Sequence, residues 1–77
     1  MKLIDRNKIG SFYSHDLPNA RGVLQFGFYK SGQGFVAING QVADPREIAM
    51  EHGMSEANAR RLPVRDLVKW FIYKYCQ

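Results

Sequence analysis

The chain has almost no cysteine. Cys76 stands alone, one residue from the end, so an internal disulfide is excluded. Histidine is equally scarce, and His15, His52 and Cys76 form no recognisable metal-ligand spacing, so neither a metal nor another cofactor is expected. No apolar run approaches the length of a membrane span, and the opening MKLIDRNKIG is charged too early for a secretory signal. A free thiol in a reducing compartment and a cytoplasmic location are the expectations that follow. Carboxylates are few, and no Ser/His/Asp or Cys/His arrangement has supporting residues around it, which argues against an enzyme. His15 and Asp16 are adjacent, but neighbours in sequence point apart. They read as surface ahead of a loop formed by Leu17 to Gly22.

What is present suffices for one small domain. A length of 77 residues leaves no room for a second, and lies near the size at which a core begins to need outside help. Apolar residues at 45% and aromatics at 13% can fill a compact core, and 23% charged residues separate the chain from disordered sequences. The net charge of +4 is unevenly placed. Asp44 to Glu56 holds four acids and one base, whereas Arg60 to Lys74 holds five bases and one acid. Such a basic end can neutralise phosphates; bases late in helices also complement the helix dipole and aid solubility.

Leu3, Ile4, Ile9, Phe12 and Tyr13 are apolar without a sustained period, and Ile9 to Tyr13 can form a short strand. From Val23 the pattern is that of a sheet. Leu24, Phe26 and Phe28 alternate with Val23, Gln25, Gly27 and Tyr29, and the loop Ser31 to Gly34 leads into Phe35, Val36, Ala37 and Ile38. Asn39 and Gly40 suit a type I′ turn, so Gln41, Val42 and Ala43 return as a third short strand. Gly32 to Ile38 partly resembles the central motif of RRM domains, but Gln33 and Ile38 stand where stacking aromatics belong, so hairpin glycines and core aromatics are the reading.

Asp44 followed by Pro45 and Glu47 is a helix start, with Ile48 and Ala49 on the buried side. Gly53 can end that helix in the left-handed conformation, with Met54 folding back on Ile48 or Ala49. Ser55 caps a second helix of about two turns, which Pro63 closes. The last helix starts at Pro63, and Val64, Leu67, Val68, Phe71, Ile72 and Tyr75 form an apolar stripe that should pack on Leu24, Phe26, Phe28, Val36 and Ile38. The expected fold is therefore α+β: an antiparallel meander against a C-terminal amphipathic helix, with a short helix pair between them.

Ala49, Gly53, Met54 and Leu62, within the span 45–62, resemble the helix-turn-helix of bacterial and phage DNA-binding proteins. Ala59 and the early Pro63 depart from that pattern. The resemblance implies a DNA-binding regulator, usually a homodimer, whose second helix faces bases through Ser55, Glu56, Ala57, Arg60 and Arg61. Arg65, Lys69 and Lys74 would then meet the phosphate backbone. An alternative rests on Trp70 and Tyr73, which lie off the apolar stripe beside Lys69 and Lys74 and could centre a protein interface. Trp70 could equally cover the N-terminal segment. In size and lack of catalytic motifs the chain is similar to small phage-encoded inhibitors such as anti-CRISPR proteins, which would make it an interaction module acting on a nucleic-acid-processing complex.

Overall fold

A computed structural model describes residues 2–76. Four strands, β1 (Ile9–Asp16), β2 (Val23–Tyr29), β3 (Gly34–Ile38) and β4 (Gln41–Val42), form one antiparallel sheet in sequential order. Three helices follow: α1 (Pro45–Glu51), α2 (Glu56–Arg61) and α3 (Val64–Tyr75). The α+β architecture expected from the sequence is thus present: β2, β3 and β4 are the three-stranded meander, and the short strand read at Ile9 to Tyr13 is β1 beside it. No helix among the described residues is long and apolar enough to cross a membrane.

β1 pairs with β2 from Ile9↔Tyr29 to Asp16↔Val23 and is irregular between Ile9 and Ser11. The expected strand stopped at Tyr13; the observed one runs on to Asp16, so His15 and Asp16 are strand residues and not loop surface. Burial alternates along β1 residue by residue. Its inward positions, however, are Ser11, Tyr13 and His15, which carry polar atoms and so hide a period-2 pattern that depends on hydropathy.

The inner face of the sheet carries Leu24, Phe26 and Val36, all fully buried against Leu67, Val68 and Phe71 of α3. Phe71 sits at the centre, its ring 5.6 Å from that of Phe26. Ile48, Ala49, Met54 and Ala59 complete this core from α1, the turn and α2. The outer face is covered as well. Phe35 and Ala37 are buried there beneath Ile4, with Ile9, Tyr29 and Val42 around them. Ile4 donates its amide to the Gly40 carbonyl at 3.0 Å, and Val42 donates to Lys2 at 2.8 Å, so the N-terminal segment runs along the β4 edge. Trp70 packs on the inner core, edge-on to Phe71 at 5.0 Å.

Local chemistry sets the connections. Asn39 (φ 52°) and Gly40 (φ 83°) form the left-handed pair of a type I′ turn. The Asn39 side chain accepts from the Val23 amide at 2.9 Å, tying this turn to the start of β2. Asp44 accepts from the Arg46 amide at 3.0 Å and Ser55 from the Asn58 amide at 3.2 Å, as capping residues do. At Gly53 (φ 107°) a complete Schellman stop forms: Gly53 donates to Met50 and Met54 to Ala49.

Gly27 is required for a different reason. It pairs with Phe12 on one side and Phe35 on the other, and a Cβ there would collide with the Ser11 carbonyl. The Phe12 and Phe35 rings approach to 6.4 Å across it and restore apolar cover over the bare backbone.

Two outcomes test this packing. Phe71→Ala should lower stability by about 3 to 5 kcal/mol, enough to unfold much of so small a domain, while Lys69→Ala changes the melting temperature little. Equal melting of the two variants would show that the α3 stripe is not the core. Gly27→Ala, which adds one methyl, should destabilise by about 1 to 3 kcal/mol through overpacking against β1. Chemical denaturation measures it, and a neutral result would contradict the close β1–β2 approach.

Candidate functional site

The residues expected to contact nucleic acid fall on α2 and α3. Six residues long, α2 buries only Ala59, so Glu56, Ala57, Asn58, Arg60 and Arg61 are all exposed. Its position is fixed from behind. The Arg46 side chain crosses from α1 and donates to the carbonyls of Ala59 and Leu62, the latter at 2.6 Å. A guanidinium at this end meets carbonyls left without partners by the helix and the negative end of its dipole, a charge-assisted arrangement stronger than a neutral hydrogen bond. The sequence marked Arg46 only as the single base of an acidic stretch. Nothing local reports its reach to residues 13 and 16 positions later.

The side chains of α2 are partly engaged with one another. Ser55 serves as the cap, Arg61 donates to the Asn58 side chain at 3.0 Å, and Arg60 pairs with Glu56 at 2.9 Å. With the two side chains 70% and 65% exposed, the Arg60–Glu56 pair is a surface ion pair. Pairs of this kind contribute only about 0.3 to 0.5 kcal/mol, so Arg60 can exchange Glu56 for a nucleic-acid group at small cost.

On α3, Arg65, Lys69 and Tyr73 follow one another at intervals of four and are all exposed, forming one row beyond the basic end of α2. Tyr73 is 71% exposed. Lys74 and Trp70 lie elsewhere. Lys74 donates to the His52 carbonyl at 2.7 Å, closing the end of α1, and its ammonium stands 5.1 Å from the Trp70 ring centre. Trp70 is half-buried under it. The two aromatics proposed as one interface therefore differ: Tyr73 is open to solvent, whereas Trp70 is largely occupied within the molecule.

A second group was not anticipated. His15 from β1, His52 from the end of α1 and Tyr75 from the last turn of α3 meet at one cleft. The His15 ring stacks on Tyr75 at 3.8 Å, and His52 Nδ1 shares a 2.7 Å hydrogen bond with the Tyr75 hydroxyl. Burial pushes the His52 pKa below its ordinary 6.5; nearby Lys74 and His15 lower it further, and Glu51 opposes them. Burial also raises the Tyr75 pKa, which keeps the phenol protonated and able to donate to a neutral imidazole. No group of three or more His, Cys, Asp or Glu side chains that could hold a metal exists among the described residues. Only the apolar half of this arrangement, Tyr75 on the α3 stripe, was legible in the sequence.

Because folding favours the neutral form of His52, its contribution to stability is present above pH 6.5 and is lost as pH falls through the lowered folded value. The melting temperature should therefore fall as the pH drops below about 6.5 toward the lowered folded value. His52→Gln, which cannot take up a proton there, should flatten that slope; an unchanged slope would contradict the assignment. No protein family, curated protein or solved structure matches this chain.

Proposed function

We propose that this chain is a small, non-enzymatic DNA-binding protein, with α1, the Gly53 turn and α2 acting as a helix-turn-helix-like element. The observation that carries the reading is the display of α2: anchored through Ala59 and Arg46, it leaves every other residue exposed, and the exposed Arg65 and Lys69 of α3 follow it in the chain. In this reading the exposed Arg60 and Arg61 meet base edges, with Ser55, Glu56 and Ala57, also exposed, beside them. Arg65 and Lys69, exposed on α3, are suited to the phosphate backbone. Lys74 would have to give up its bond to the His52 carbonyl before it could join them, so its share is smaller.

A second reading is favoured by one observation, the 71% exposure of Tyr73 on α3. An exposed tyrosine one turn from the exposed Lys69 suits a protein partner, as in an inhibitor of a nucleic-acid-processing complex.

Fluorescence anisotropy against a pool of DNA duplexes at two salt concentrations separates these readings. Arg65→Ala and Lys69→Ala should weaken binding to all duplexes alike and reduce the salt slope by about one unit each. Arg60→Ala should cost roughly 1 to 3 kcal/mol, mainly on a preferred sequence. Absence of duplex binding at low salt would remove the DNA reading and leave the one centred on Tyr73.

A further inference from the structure

The cleft at His15, His52 and Tyr75 encloses about 620 Å³, within the range of sites that hold small organic molecules. Elements distant in sequence build it: the end of β1, the β1–β2 loop, the end of β3, the end of α1 and the last turn of α3. Its walls are chemically divided. Leu17, Pro18 and Ile38 supply an apolar side, and the Tyr75 and His15 rings add flat aromatic surface. Arg21 and Glu51 bring opposite charges to the same cleft, yet neither is among the ion pairs of the described residues. Two full charges thus line one concavity without an ion-pair partner among the described residues.

From this arrangement we infer that the cleft binds a small zwitterion with an apolar body, of the kind an apolar α-amino acid presents. Its carboxylate meets the Arg21 guanidinium, its ammonium meets the Glu51 carboxylate, and its side chain lies against Leu17, Pro18 and Ile38. The charge pattern selects among ligands. A dianion such as phosphate satisfies Arg21 but is repelled by Glu51, and a simple amine has the reverse problem. The uncharged His52 ring adds no second cation to the site, which keeps one positive and one negative anchor in balance. This site is separate from the α2–α3 surface and stands or falls independently of DNA binding.

The test is an NMR titration of the full chain with L-phenylalanine, following the imidazole signals of His15 and His52. Saturable shifts at both histidines are expected. Both 3-phenylpropanoate, which lacks the ammonium, and 2-phenylethylamine, which lacks the carboxylate, should bind at least about tenfold more weakly. Arg21→Gln and Glu51→Gln, at exposed positions, should keep the wild-type melting temperature and each weaken L-phenylalanine about tenfold. Absence of a saturable shift by about 10 mM L-phenylalanine would overturn the inference. So would equal binding of either single-charge analogue, or unchanged affinity in both variants.

Discussion

One contact organises the molecule: the apolar stripe of α3 laid across the inner face of the sheet, with Phe71 against Phe26 and with Leu67 and Val68 beside Leu24 and Val36. A domain this short has few large side chains to bury, and the six largest fully buried ones are all in this layer. Everything else is arranged around it. The sheet must also shield its outer face, and Ile4 does so over Phe35 and Ala37, leaving Phe12 40% exposed at the β1 side. The helices α1 and α2 contribute small residues, Ala49 and Ala59, where they meet this core, so they can approach it closely.

The basic residues divide by what they touch. Arg46 and Lys74 each donate to carbonyls at a helix end, Arg46 at α2 and Lys74 at α1. Both do structural work that a short helix, with few internal hydrogen bonds, needs from outside. Arg65 and Lys69 are exposed on α3, and Arg60 is held only by a solvent-exposed pair. Net charge alone does not reveal this division. Among the exposed cations, Arg60, Arg61, Arg65 and Lys69 lie on consecutive elements, α2 and α3, whereas Lys2, Arg6, Arg21 and Lys30 lie outside them.

Elements built from local interactions were legible in the sequence. The Asp44 and Ser55 caps, the Gly53 stop, the Asn39–Gly40 turn and the α3 stripe each depend on residues within a few positions of one another. Features built from distant residues were hidden. β1 faces the core with Ser11, Tyr13 and His15, so its alternation does not register as hydropathy. The cover given by Ile4 depends on pairing with Gly40, far along the chain. His52 and Tyr75 are 23 positions apart, and each alone reads as an ordinary helix residue. The candidate DNA surface was named from a motif, and the Arg46 anchor that positions it leaves no local signal.

Amide hydrogen exchange in the native state, resolved by NMR, tests most directly whether α3 and the sheet form one cooperative unit that carries α2 on its flank. The amides of Phe26, Val36, Val68 and Phe71 should exchange with a common opening free energy equal to that of global unfolding, while those of α2 exchange through smaller, local openings. Exchange of the α3 amides at a markedly lower opening free energy than those of β2 and β3 would contradict the account, because the helix would then be detaching from a sheet that stays folded without it.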